Sequence, residues 1–227
     1  MRSEQTKDRT SRARHRRAVA AVGLVVTLTA GAAVGSSVAA DDDDSSDNRR
    51  ERADVMVQGG GDVYQRNGAR LIRTDHSVEV EWRIRTPEPG SYTYPTPDMV
   101  PPGSPTHPPI VPGAPEVFTL WLFAFDHPEL CTDGVCDGDD VGDTAARGSV
   151  YQADGEIADR RWLRMGGKIR FGQTPARGHG LENPLGAEVH VAMAPHGMAW
   201  DGEDLAIQLN GPVGAPPLWF AAIFDAP

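Results

Sequence analysis

Val78-Glu79-Val80-Glu81-Trp82-Arg83-Ile84-Arg85 is the most regular stretch of the chain. Apolar and charged residues alternate one for one, the two-residue period of a strand with one dry face and one wet face. The pattern predicts a half-buried strand with Val78, Val80, Trp82 and Ile84 turned to a core. Downstream, Val117 to Phe125 is apolar on both faces, with Phe118, Leu120 and Leu122 against Val117, Trp121, Phe123 and Phe125. That composition predicts a central strand covered on both sides. Further strands are expected over residues 149–157, 163–171, 188–194 and 218–224, with a short one at Leu205-Ala206-Ile207-Gln208-Leu209. Asn67-Gly68 reads as a turn before Leu71-Ile72.

No stretch carries a long 3.6-residue apolar stripe between caps. Short strands split by Gly and Pro therefore predict an all-β fold, an antiparallel β-sandwich or a barrel-like domain. Two long loops interrupt it. Residues 86–116 hold 11 of the 19 prolines, which supply no ladder donors, so an extended loop is expected, with Tyr92 and Tyr94 pinning it to the body. Residues 126–143 form an acidic loop around the two cysteines.

Outward from these strands the chain changes character. Residues 1–40 hold a basic stretch, Arg9 to Arg17, then an uncharged run from Ala18 to Ala40 ending in Ser36-Ser37-Val38-Ala39-Ala40. This is the layout of a signal peptide cleaved before Asp41. Arg16-Arg17 leaves a twin-arginine route open beside the general one. A retained anchor is the alternative, and it would be the domain's one link to a membrane. Residues 41–54 read as a disordered acidic linker, and 55–227 as a single extracytoplasmic domain. Residues 1–40 carry seven Lys or Arg against two acids, which leaves 15 basic and 30 acidic residues beyond them, a charge of −15. Such a domain repels phosphate backbones, so nucleic acid is not an expected partner.

Cys131 and Cys136 are the only cysteines, and in an oxidising compartment they read as one local disulfide. Around them lie Asp126, Glu129, Asp133, Asp137, Asp139, Asp140 and Asp143, with no Lys or Arg between. Hard cations need several oxygens on a backbone that can wrap, and Gly134, Gly138 and Gly142 would permit it. Asp133, Asp137, Asp139, Asp140 and Asp143 are thus a candidate calcium set, against the plainer reading of a solvated acidic loop. Glu188 and His190 share one face of an expected strand. With His196 or His127 they could ligate a transition metal; the plainer reading is a strand histidine satisfied by Glu188.

Phe118-Thr119-Leu120-Trp121-Leu122-Phe123 is followed by His127-Pro128-Glu129-Leu130-Cys131-Thr132 and Asp139-Asp140. With Glu182-Asn183-Pro184, Gly186-Ala187-Glu188-Val189-His190, Ala194-Pro195-His196-Gly197 and Leu218-Trp219-Phe220, this resembles a set of uncharacterised exported bacterial β-rich proteins. The resemblance runs from about Leu71 onward. It implies export and the extent of the domain, and carries no activity or catalytic residue.

The chain has no Gly-x-Ser-x-Gly elbow, no His-Glu-x-x-His and no phosphate-binding glycine loop; Gly166-Gly167-Lys168 lacks the upstream glycine. The expected function is an exported or cell-surface module without catalysis, one that binds a ligand or a cell-envelope component or that helps build the envelope surface. The alternative is an extracytoplasmic hydrolase, metal-dependent or not, whose site is assembled from separated strands.

Overall fold

The alternation at Val78–Arg85 becomes an antiparallel strand whose apolar side chains are all buried and whose Glu81, Arg83 and Arg85 face water. This computed structural model describes residues 48–57, 62–88, 113–210 and 220–227. The expected signal region 1–40, residues 41–47 of the expected linker, most of the proline-rich stretch with Tyr92 and Tyr94, and residues 218–219 lie outside them.

The described residues form β1 (Arg49–Val57), β2 (Val63–Thr74), β3 (Ser77–Arg85), β4 (Glu116–Phe125), β5 (Gly148–Ala158), β6 (Trp162–Arg170), β7 (Arg177–Gly178), β8 (Glu188–Met198), α1 (Glu203–Asn210) and β9 (Phe220–Phe224). All nine strands join one antiparallel sheet in the order β6-β3-β2-β1-β9-β8-β4-β5-β7, curled into a half-barrel. β4 is an interior strand buried along almost its whole length, as its two apolar faces require, with β5 on one side and β8 on the other. The curl encloses a core built from alternate residues of eight strands: Val55, Leu71, Val80, Trp82, Phe118, Leu120, Tyr151, Leu163, Met193 and Phe220 among them. Each large apolar side chain buried there contributes roughly 1.5–3 kcal/mol.

The curl also returns β6 to β5. They are consecutive arms of one connection, yet they sit far apart in the ladder order and share no strand pairing. Asp154 bridges them, its carboxylate accepting the Gly166 backbone N–H at 2.9 Å and so satisfying a donor on the edge of β6. A Cβ on Gly167 would lie 2.7 Å from that of Ala153, so the approach requires glycine.

Four expectations are corrected. Among the described residues strand is already present at Arg49, ahead of Val55: Arg49 to Ala53 pair in register with β2, so the latter part of the expected linker is strand. Its charges fit because β1 turns Arg50 and Arg52 to water while Glu51 binds a buried arginine. Asn67-Gly68 is an irregularity inside β2 rather than a hairpin turn. Asn67 has φ 48°, its N–H is taken by Asp54 at 2.7 Å, and the pairing with β1 shifts between Ala53 and Val55. The true β2–β3 turn is Asp75-His76. Residues 205–209 are helical, within α1. Leu, Ala and Gln favour a helix, and Glu203 and Asp204 suit its N-terminal dipole. Finally, β8 runs past residue 194 to Met198, with Pro195 beyond the stretch paired to β9, where its missing N–H costs no bond to that strand.

Candidate functional site

Several carboxylates of the cysteine loop are spent on backbone. Cys131 and Cys136 are joined, with Cα atoms 5.0 Å apart, and close a loop at the end of β4. Asp140 is buried inside it and accepts the N–H groups of Thr132 (2.8 Å) and Asp137 (3.0 Å). The bond from Thr132 is the main reason its acid strength is raised, its pKa falling below the usual 3.8, while burial opposes the shift. Asp137 accepts the Asp139 N–H, and one oxygen of Asp143 accepts those of Ala145 and Ala146. Exposed Asp133 sits at φ 58° in the short turn Thr132–Gly134. Asp137, Asp140 and Asp143 thus brace turns through their carboxylates, and among the described residues no group of three acids, histidines or cysteines is placed to hold a metal.

Asp126 performs the same task for a neighbouring segment. Nearly buried, it accepts the N–H groups of Glu182 and Asn183, and burial pushes its pKa above the ordinary 3.8. The other side of that segment is held by Arg73. Fully buried, Arg73 pairs with Glu51 at 2.6 Å and donates to the carbonyls of Pro184, Ala187 and Asp225.

The second expected set is also not assembled. Glu188 and His190 do meet, at 2.6 Å, and His190 packs edge-on against Phe125. His196 lies six residues along β8, fully buried, with Nε2 2.6 Å from the Thr119 hydroxyl. His127 instead faces Glu129 at 3.3 Å. The indole of Trp121 can only donate, so the Thr119 oxygen accepts there, and its own hydrogen can go to His196. Gln208, the one buried residue of α1, ties the helix to β8. Its amide donates to the carbonyls of His196 and Met198 and accepts the Trp200 N–H.

The opposite end of the sheet is built differently. On the outer face of β2, β3 and β6 the charges begin in matched pairs: Arg70 with Glu81 at 2.9 Å, and Lys168 with Glu79 at 3.5 Å. Further along, the matching stops. Arg83 stands directly opposite Arg164, and Arg85 opposite Trp162. Arg160 and Arg161 follow in the turn between β5 and β6. Among the described residues, only Arg160 of these five arginines has an ion pair, with Asp159 at 3.5 Å. The Arg83 guanidinium lies over the Trp162 ring, 4.6 Å from its centroid. Thr86 fixes the turn to the end of β3, its N–H donating to the Arg161 carbonyl at 3.0 Å and its hydroxyl to that of Arg160. An open cleft of about 400 Å³ runs along this turn, lined by residues 156–164.

Sequence reading singled out neither this arginine face nor Arg73. Two signals were present: Arg83-Ile84-Arg85 with both arginines on the wet side of β3, and Arg160-Arg161-Trp162-Leu163-Arg164. Only the β3–β6 pairing unites them. No protein-family model, curated protein or solved structure matches the chain.

Proposed function

We propose that the chain is an exported β-domain that binds a component of the cell envelope and does not transform it. The observation that carries this reading is the division of its polar groups. The buried acids Asp126 and Asp140, with Arg73, are committed to hydrogen bonds that build the fold, whereas the exposed arginines at the β5–β6 turn are left available to a partner. The Cys131–Cys136 bond supports an extracytoplasmic location, because such bonds persist where thiols are not kept reduced. The competing reading is an extracytoplasmic hydrolase with a site drawn from separated strands. Its best support is the Thr119 hydroxyl beside His196, but both residues are fully buried.

Cosedimentation of the purified exported protein with envelopes from the producing cells separates the two. A binding module sediments with the envelopes in a saturable manner and releases no soluble fragments. Catalytic release of fragments without saturable sedimentation would overturn the proposal.

A further inference from the structure

The arginine face calls for a partner because it is costly as it stands. Like charges directly opposite on neighbouring strands destabilise a sheet, and Arg83 and Arg164 are such a pair. The adjacent acid on β3, Glu81, is engaged by Arg70, and its own cross-strand neighbour is Gly166, which offers no side chain. Asp159 neutralises part of the turn, and Glu156 stands exposed in the cleft. These acids leave Arg83, Arg85, Arg161 and Arg164 without an ion pair among the described residues. The domain carries −15 beyond residue 40, so this concentration of positive charge runs against its overall balance.

Resting on the reading of the chain as an envelope-binding module, we propose that this face binds a linear anionic polymer carrying a regular row of carboxylate or phosphate groups. The geometry suits an extended ligand. Arg83 and Arg85 are two residues apart on one face of a strand, roughly 7 Å. Arg164 lies across the ladder from Arg83, and the braced turn extends the row through Arg160 and Arg161. Stacking on Trp162 holds the Arg83 guanidinium while leaving its edge for paired hydrogen bonds to an oxyanion. A planar fork of this kind recognises carboxylate and phosphate alike, so the shared chemistry is assigned. Duplex DNA is disfavoured, because a broad and dense phosphate surface would also meet the surrounding acidic domain.

The test uses the mature exported protein on immobilised polygalacturonate, poly(glycerol phosphate), uncharged dextran and duplex DNA, at several salt concentrations. Retention is expected on one or both of the first two, falling steeply with salt, and the two matrices distinguish carboxylate from phosphate. Arg83→Gln with Arg164→Gln should weaken that retention by about tenfold or more, since each lost charge-assisted bond is worth about a tenfold change or better. The thermal midpoint should change little, because relief of the like-charge pair offsets the lost stack on Trp162. Arg177→Gln, on β7 and paired with Val150 at the opposite end of β5 from the arginine turn, should leave retention unchanged. If the first double variant folds poorly, Arg160→Gln with Arg161→Gln in the exposed turn provides the same reading. Equal retention of parent and folded variant, or stronger retention on DNA, overturns the proposal. Saturable sedimentation with envelopes, but no retention on either polymer, overturns this ligand class and leaves the binding-module reading standing.

Discussion

At one end of the β4–β5 pair, seven carboxylates crowd between Asp126 and Asp143; at the other, five arginines gather around Trp162. Both ends concentrate one sign of charge, and they handle it in opposite ways. The acidic end commits much of its charge to the chain's own backbone. Asp126, Asp137, Asp140 and Asp143 each accept backbone N–H groups that the irregular chain would otherwise leave without partners. The basic end turns its charge outward, and its arginines add little to the fold beyond the Arg83–Trp162 stack. A charge density read from sequence therefore does not say whether a site faces a ligand or the protein's own backbone. The backbone partners nearby decide it: the loop offers N–H donors that carboxylates accept, whereas an arginine only donates and turns inward where it meets free carbonyls, as Arg73 does.

The sharpest break in this comparison comes from Arg73, a basic residue used as the acids are. Arg73→Met should destabilise the domain by about 3–5 kcal/mol, because it strands Glu51 beside a buried site and removes the donor for three carbonyls. Chemical denaturation measures it. A loss no larger than that of an exposed arginine would mean that the clamp is not a structural element.

Next in size is the acidic loop's own closure. Replacing Cys131 and Cys136 together with Ala should cost about 2 kcal/mol, the chain-entropy value for so small a ring. The loss should appear in the melting midpoint, and retention on anionic polymers should be untouched. Loss of retention in a folded Cys variant would show that the two ends are coupled.

The smallest effect is in the pH dependence. Asp140 holds its proton less tightly when folded than when unfolded, so it contributes stability above the ordinary pKa of 3.8 that is lost as pH falls below it. Asp126 works in the opposite sense. Its folded pKa is raised, so its contribution grows as pH falls through that raised value toward 3.8 and fades again as pH rises. Asp140→Asn should lower the midpoint at neutral pH, because an amide N–H₂ would face one of the two backbone donors, and should flatten the loss of stability below pH about 4. A variant with the parent's acid-melting profile would remove Asp140 from the account.

The strands β3 and β4 were legible because burial is written into a strand residue by residue: one dry face gives alternation, two give a continuous apolar run. Gly166-Gly167 was visible only as a failed phosphate motif, since a glycine required by close approach looks like any other until the opposing strand is known. Residues 205–209 misled for a related reason. Five apolar or amide residues fit either state, and Gln208 reaching three backbone groups selects the helix. The candidate metal sets followed composition, and composition does not encode direction. Glu188 and His190 met because they are neighbours on one strand face, whereas His196, farther along β8, was drawn to Thr119 instead.

By itself the sequence determined what depends on local order: the all-β class, the burial of β4 on both faces, and a disulfide between cysteines five residues apart. Only the tertiary structure decided what depends on pairing between distant segments. It curled the sheet into a half-barrel rather than a sandwich, and it buried Arg73 among carbonyls that begin 111 residues away. It also set Arg83 opposite Arg164. The physical reason is that hydrophobic periodicity acts within a segment, whereas ladder partners and the satisfaction of buried donors are settled between segments once the chain has closed on itself.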